Sequence, residues 1–196
     1  ILGELNKTVR DVTDALEVYD TQRAGQLLSS FVDDLSNWYV RRSRRRFWQG
    51  SPAALRTLHD VLETFTLLMA PLVPFIAERV WQDLVVPVTP GAAESVHLMT
   101  WPEADADLID EGLSAQMALA RQLVELGRAA RSESGVKVRQ PLSRALIAAE
   151  GVQNLDPRLA AEIAEELNVL GLVPIAEVEG SLVDTSVKAN FRTLGK

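Results

Sequence analysis

The sequence predicts a mainly α protein, in which a helical bundle over residues 1–134 precedes a small α+β module over residues 135–196. Three observations support this fold class. Apolar residues recur at alternating spacings of three and four through the first two thirds of the chain, which is typical of amphipathic helices. Proline and glycine separate these stretches at short intervals, which favours an antiparallel arrangement. After Gly135 the apolar period changes to two residues, which indicates strands.

Two helices are predicted before Gly50. The first is indicated by apolar residues on one helical face: Leu2, Leu5, Val9, Val12, Leu16 and Tyr19. The second begins at Asp20 or Thr21, since either side chain can cap a helix, and its apolar face consists of Ala24, Leu28, Phe31, Leu35 and Trp38. Continued at the same spacing, this face reaches Arg42 and Arg45, so it should become cationic at its C-terminal end.

Three more helices are predicted in the bundle. Ser51 caps the third, with Pro52 in the first position, and its apolar face consists of Leu55, Leu58, Leu62, Phe65 and Met69. Two prolines then interrupt the pattern, and a fourth helix follows over residues 74–84, with three residues facing inward: Ile76, Val80 and Leu84. Residues 86–107 have little periodicity, which indicates a long surface loop. A fifth helix is expected over residues 108–132, with one face formed by Leu119, Leu123, Leu126 and Ala130.

The module is predicted to combine short strands with one helix. In residues 136–142, valines alternate with Lys137 and Arg139, which indicates a strand with one basic face. A helix capped by Asp156 is expected over residues 154–169. Further strands are expected at residues 143–149, 171–178 and within 181–191.

Composition argues against several classes of function. The chain has no cysteine, and His59 and His97 lie far apart, so neither a disulfide nor a zinc site is expected. No apolar run is long enough to span a membrane and the N-terminal stretch is not a signal peptide, so a cytoplasmic protein is expected. The sequence contains no glycine-rich phosphate loop after a strand and no evident Ser-His-Asp order, so catalysis is not indicated. Because the chain lacks an initiator Met and opens inside a helical pattern, we interpret it as a fragment.

Residues 37–50, NWYVRRSRRRFWQG, place five arginines between aromatic residues in a chain of net charge −7. Like charges four residues apart on a helix repel, so such a run needs a reason. Guanidinium groups bind phosphates through paired hydrogen bonds, and aromatic rings stack on unpaired bases, so RNA binding is one interpretation, with Phe47 and Trp48 as stacking candidates. A solvated helix end fits about equally well. A localisation signal fits poorly, because the run is embedded in a helical pattern.

A second basic set extends from the fifth helix into the module. Arg121 and Arg128 share a helix face, Arg131 lies close to it, and three more basic residues follow: Lys137, Arg139 and Arg144. This set fits a basic stripe that continues an RNA-binding surface. It also fits ordinary helix charge, with Glu125 as a partner.

Longer motifs resemble a known family. The blocks SFVDDLSNWYVRRSRRRFWQG, LMAPLVPFIAERVWQDL and ESVHLMTWPEAD resemble the anticodon-binding region of class I aminoacyl-tRNA synthetases. The APLVPF segment with Glu78 is similar to a motif shared by the isoleucyl, valyl, leucyl and methionyl enzymes. The blocks LVELGRAARSESGVKVRQPLSRAL, EELNV and VKANFRTLGK resemble isoleucyl enzymes of the eukaryote-like lineage. The resemblance covers essentially the whole chain.

This resemblance implies an anticodon-binding helical bundle followed by an incomplete C-terminal junction module. It implies contact with the anticodon stem and loop of tRNA(Ile), within a monomeric enzyme whose catalytic and editing domains lie outside this chain. Phosphates would be bound by Arg41, Arg42, Arg45 and Arg46, an unstacked base by Phe47 or Trp48, and further contacts would come from Arg128, Arg131, Lys137 and Arg139. The fragment would be non-catalytic and without a cofactor. The full-length isoleucine–tRNA ligase would use ATP, Mg²⁺ and, in its C-terminal part, Zn²⁺.

Two alternatives stay open at this point. The nearest is the corresponding fragment of a valyl- or leucyl-tRNA synthetase, since the APLVPF motif does not separate these enzymes. The other is a helical protein-interaction module, in which the arginines dock an acidic partner.

Overall fold

The computed structural model describes residues 1–175, which form two compact units that divide between Ala115 and Gln116. The helices of the first unit are α1 (Leu2–Glu17), α2 (Thr21–Asp34), α3 (Arg41–Trp48), α4 (Pro52–Met69) and α5 (Pro74–Leu84). A π-helical turn, Leu35–Val40, joins α2 to α3, and two 3₁₀ turns, Val96–Leu98 and Ala106–Leu108, precede α6 (Glu111–Glu133). The predicted mainly α bundle is confirmed. Within residues 1–175, no helix combines the length and the apolar character needed to cross a membrane.

Local signals start α2, α4 and α5 where the sequence predicts, whereas α6 begins at Glu111, three residues later than predicted. Asp20 accepts a hydrogen bond from the Arg23 amide at 2.9 Å and so caps α2. Pro52 and Pro74 occupy the first positions of α4 and α5, where a missing N–H costs nothing. Ser51 stands at the cap position of α4, although its side chain makes no capping hydrogen bond.

Helices α1, α2 and α4 enclose the main core of the first unit. Its members come largely from the predicted apolar faces, and the rings of Phe31 and Phe65 pack with centroids 5.2 Å apart. A second cluster surrounds Trp81 on α5, whose indole N–H donates to Ala93 O at 2.9 Å. The predicted inward face of α5 is wrong by one residue, because Ala77 and Trp81 are buried instead.

Glu78 anchors the irregular segment over residues 86–107 to α5. Its Oε2 accepts hydrogen bonds from Ser95 Oγ at 2.8 Å and from the Val96 amide at 3.1 Å, and its Oε1 accepts one from Gln82 at 2.9 Å. These bonds, above all the one from Ser95, lower the pKa of the Glu78 carboxyl from its ordinary value. The predicted loop is therefore held against the helix that precedes it.

Gly3 on α1 lies against the 3₁₀ turn at Ala106–Leu108. A Cβ at this position would stand 2.7 Å from Leu108 O, a backbone atom that cannot rotate away. We expect Gly3→Ala to lower the free energy of unfolding by about 1–2 kcal/mol, because overpacking outweighs the gain in helix propensity. Urea unfolding followed by tryptophan fluorescence measures the change.

Gly25→Ala in α2 is the matched control for this substitution. A Cβ at Gly25 meets no atom within 4 Å, so alanine there should stabilise the protein by about 0.5–1 kcal/mol. If the two variants changed the stability by equal amounts in the same direction, the predicted clash at Leu108 would be refuted.

The second unit joins most of α6 to a small parallel βαβ arrangement. Strand β1 (Ala145–Ile147) pairs with β2 (Leu172–Pro174), and α7 (Pro157–Leu167) connects them after a 3₁₀ turn at Val152–Asn154. Asp156 caps α7 through a 2.7 Å hydrogen bond from the Arg158 amide, as predicted. The expected strand within residues 181–191 lies outside the described residues.

Two predictions for this unit are corrected by the structure. Residues 136–142 do not form a strand, but turn back with a 2.9 Å hydrogen bond from the Gln140 amide to Lys137 O. The predicted face of α6 is also displaced, since Leu126 is exposed and the buried positions are Ala120, Leu123, Val124 and Arg131. The predicted module boundary at residue 135 lies two residues after the end of α6, whereas the compact units divide after Ala115.

Candidate nucleic-acid interface

The π turn at Leu35–Val40 rotates the arginine run relative to the core. In a continuous α-helix, the inward face would continue through Arg42, as the sequence predicts. The π turn adds one residue to the repeat, so the side chains that turn toward the core are Tyr39, Ser43 and Phe47. The predicted cationic core face is therefore wrong, and Ser43 is buried in the middle of the arginines.

The exposed charge is concentrated at the C-terminal end of α3. Three consecutive arginines are exposed there: Arg44, Arg45 and Arg46. Arg41 and Arg42 are half-buried and contact their own helix. The Nε of Arg41 donates to Asn37 O at 2.9 Å, and the Arg42 guanidinium lies 6.0 Å from the centre of the Trp38 ring. The outer three arginines are therefore better placed for a ligand.

The two predicted stacking residues differ in their surroundings. Phe47 is half-buried and packs edge-on against Tyr39, with centroids 6.3 Å apart and planes at 67°. Trp48 is 82% exposed, and the Arg44 guanidinium lies 6.0 Å from its ring centre, within cation–π range. An accessible indole thus stands beside a cation at the tip of the helix, whereas the ring of Phe47 packs on Tyr39.

Arg44 is absent from the site residues that the sequence predicts. Its spacing of four from Trp48 was the available signal, because side chains at i and i+4 meet on a helix surface.

Arg131 of α6 does not lie on a basic surface stripe. It is only 6% exposed, and its Nη2 donates to Lys137 O at 3.0 Å, to Val138 O at 3.3 Å and to Gln140 O. One guanidinium therefore holds the backbone of residues 137–140 in a turn. This contact explains why the alternating segment does not extend as a strand, and it corrects the predicted surface position of Arg131.

The other predicted residues of the second unit are more accessible. Arg128 is half-buried and forms an ion pair with Glu166, which is itself buried. Lys137 and Arg139 are exposed. RNA contact by these side chains stays a prediction.

One group with metal-ligand geometry occurs within residues 1–175. Single ligand atoms of His59, Asp60 and Glu63 on α4 lie within 4.8 Å of one another. The Nδ1 of His59 stands 3.7 Å from one oxygen of each carboxylate. The group offers one imidazole and no thiolate, whereas zinc sites usually supply thiolates or several imidazoles.

Comparison with known proteins decides the family. Residues 1–146 match the family described as the anticodon-binding domain of tRNA ligase. The chain belongs to this family. Across all 196 residues it is 71% identical to the isoleucine–tRNA ligase of Streptomyces coelicolor, of which it covers 19%, and 71% identical to that of Streptomyces avermitilis, of which it also covers 19%.

The similarity extends beyond these two species. The chain is 45% identical over 208 aligned residues to the isoleucine–tRNA ligase of Thermus thermophilus and covers 20% of it. The matches confirm the resemblance that the motifs indicate. The chain therefore spans about a fifth of the length of the relatives it matches.

Proposed function

We propose that this chain binds the anticodon stem and loop of tRNA(Ile) as part of an isoleucine–tRNA ligase. One observation carries the proposal: the exposed Trp48 beside Arg44 at the end of α3, next to the exposed Arg45 and Arg46. The names of the full-chain relatives support isoleucine rather than valine or leucine.

The chemistry of this surface matches a nucleic-acid hairpin. Guanidinium forks donate paired hydrogen bonds to phosphate oxygens, so Arg44, Arg45 and Arg46 would bind the backbone, with Arg41 and Arg42 at the flank. The accessible indole of Trp48 would stack on a base turned out of the loop. The chain as a whole is acidic, with net charge −7 even with these arginines included, so its other surfaces repel RNA.

The full-length ligase would join isoleucine to tRNA(Ile) in the cytoplasm as a monomer, using ATP and Mg²⁺. We place these ligands, and the zinc of the C-terminal part, outside this chain. Within residues 1–175 the group with suitable spacing, His59–Asp60–Glu63, lacks the thiolate or multiple imidazole ligands that zinc prefers.

Trp48→Ala in the full-length ligase tests the proposal. We expect the dissociation constant for tRNA(Ile) to rise about tenfold, because one base–aromatic stack contributes about 1–3 kcal/mol. Filter binding with transcripts of tRNA(Ile), tRNA(Val) and tRNA(Leu) measures it. Trp48→Phe should keep most of the affinity, since it preserves an aromatic face.

Leu98→Ala is the control, because Leu98 is a large exposed apolar residue in the loop after α5 and lies outside the surface. Unchanged tRNA(Ile) affinity in Trp48→Ala would overturn the role of the indole. Tighter retention of tRNA(Val) or tRNA(Leu) by the unaltered ligase would contradict the isoleucine assignment.

A further inference from the structure

An uncharged apolar surface lies at the far end of α4 from the arginines. Residues 71–77, PLVPFIA, contain no charged side chain, and they connect α4 to the first turn of α5. Phe75 is 89% exposed and Ile76 is 60% exposed, although the other face of α5 is buried around Trp81. Packing within the first unit therefore gives these two side chains no apolar neighbour that shields them.

Two grooves border this segment. One, of about 480 Å³, is lined by Thr13, Leu16, Glu17, Tyr19, Pro71 and Trp101. The other, of about 230 Å³, is lined by Leu72 and Val73 together with apolar side chains of α2 and α4, among them Val32 and Met69. Residues 71–73 thus border two concave surfaces, the second mainly apolar and the first with Glu17 among its lining residues. Phe75 and Ile76 line neither groove but are exposed in the same segment, so a partner docked there would meet both.

Tyr19 adds a second unusual feature at the first groove. It is 90% exposed and has φ of +59°, in the left-handed region that bulky side chains rarely adopt. Hydrogen bonds of the turn between α1 and α2, from the Tyr19 amide to Leu16 O and from the Asp20 amide to Ala15 O, hold it there. An aromatic ring is therefore kept in solvent beside Pro71 at a cost in backbone energy.

The position of this surface separates it from the proposed RNA site. Helix α4 has 18 residues and is therefore about 27 Å long, with the arginine end of α3 preceding it and residues 71–77 following it. Phosphate groups gain nothing from an uncharged apolar surface, whereas another protein domain does. The two ends of the bundle are thus suited to different partners.

We propose that residues 71–77, with Tyr19, dock against an uncharged apolar face of another domain of the same ligase chain. The proposal rests on the proposed function, because it takes this chain to be part of a longer ligase. It is supported by the relatives, of which this chain covers only 19%, so that most of the polypeptide lies outside the structure. The bundle would then hold the rest of the enzyme at one end of α4 and the anticodon at the other.

Hydroxyl-radical footprinting tests this surface on three samples: the 196-residue chain, the full-length ligase, and the full-length ligase with tRNA(Ile). We expect Phe75 and Tyr19 to react several-fold more slowly in the ligase than in the chain, with or without tRNA. Trp48 should be protected only when tRNA is added. Protection of Trp48 tests the proposed function and protection of Phe75 tests the docking, so each can fail without the other.

Three outcomes would overturn the docking proposal. Equal reactivity of Phe75 in the chain and in the ligase would show that nothing covers it. Protection that depends on tRNA would assign the surface to RNA, and protection that grows with the concentration of the isolated chain would assign it to a second copy. As a further check, Phe75→Ser combined with Ile76→Ser should restore the reactivity of Tyr19 in the ligase, whereas Leu98→Ser should leave Tyr19 protected.

Discussion

Replacing Arg44, Arg45 and Arg46 together by glutamine is expected to weaken binding of tRNA(Ile) to the full-length ligase by about three powers of ten at low salt. All three side chains are exposed at the end of α3. Each hydrogen bond to a charged group contributes about 1.5 kcal/mol or more, and three of them account for about 4.5 kcal/mol. Glutamine keeps the length and the helix propensity, so the change is confined to charge.

The dependence of this affinity on salt gives the sharper measurement. Each phosphate contact releases condensed counterions, so losing three should reduce the slope of log K against log salt by about two to three. Filter binding between 50 and 200 mM salt, roughly the range over which such slopes are resolved, measures it. Trp48→Ala should lower the affinity with little change of slope, because stacking releases few ions.

The matched control removes the same charge elsewhere. Arg23, Arg79 and Arg158 are also exposed, so their joint replacement by glutamine makes the chain more acidic by the same three units. We expect only a small, uniform loss of affinity from this control and an unchanged slope. If both triple variants reduced the slope equally, the arginines at the end of α3 would act only through net charge.

The helix boundaries could be predicted from the sequence because the interactions that set them are local. Asp20 and Asp156 accept hydrogen bonds from amides two or three residues away. Pro52 and Pro74 begin helices because the proline ring fixes φ near the helical value and the missing N–H is not needed in the first turn. The APLVPF motif likewise marks a real break, since α4 ends at Met69 and α5 starts at Pro74.

The phase of α3 could not be predicted by continuing the periodic pattern. From Leu35, a regular α-helix continues the inward face through Trp38 and Arg42, whereas a second face, through Tyr39 and Ser43, needs one extra residue in the repeat. Packing of Tyr39 against the core selects the second face and requires the π turn. The sequence does contain a signal for the second face, because burying the Arg42 guanidinium on the first face would cost free energy.

This choice of phase also decides the candidate site. The arginine run was identified from the sequence alone, but which members face solvent depends on the π turn. It leaves Arg44 exposed beside Trp48 and brings Arg41 and Arg42 partly into the surface of the bundle. The packing of Tyr39 against the core is a long-range contact, and the spacing of apolar residues along the chain does not reveal it.

The misassigned strand at residues 136–142 has a similar cause. Alternation of valine with basic residues is compatible with a strand, but Arg131 binds the carbonyls of Lys137, Val138 and Gln140 from the preceding helix. These carbonyls are therefore not available to a β ladder. A contact across six to nine residues thus overrides a two-residue period.

Arg131→Met is expected to destabilise the second unit by about 2 kcal/mol. The substitution removes three carbonyl hydrogen bonds to a charged donor, and bonds of this kind contribute about 1.5–3 kcal/mol. Part of this loss is offset, because Nε and Nη1 of Arg131 are buried without partners and methionine relieves that cost. Methionine fills a similar volume, so no cavity contributes.

Amide hydrogen exchange measures the effect where it should occur. The Leu142 amide donates to Asn168 O at 3.1 Å and the Leu170 amide donates to Leu142 O at 3.0 Å, so both report on the folded second unit. A loss of about 2 kcal/mol should accelerate their exchange about thirtyfold. All four tryptophans, at positions 38, 48, 81 and 101, belong to the first unit, so unfolding followed by fluorescence should not change.

Arg139→Met separates the structural role from the loss of charge. Arg139 is exposed. Its replacement by methionine removes the same charge as Arg131→Met, but it should leave the amide exchange of Leu142 and Leu170 unaltered. If Arg139 contacts RNA, its loss lowers the salt slope of tRNA binding by about one, whereas a buried Arg131 has no counterions to release and its loss leaves that slope unchanged. Suppose instead that Arg131→Met lowered the salt slope and left the exchange of Leu142 and Leu170 unchanged. Arg131 would then belong to the binding surface, and the turn at residues 137–140 would need another explanation.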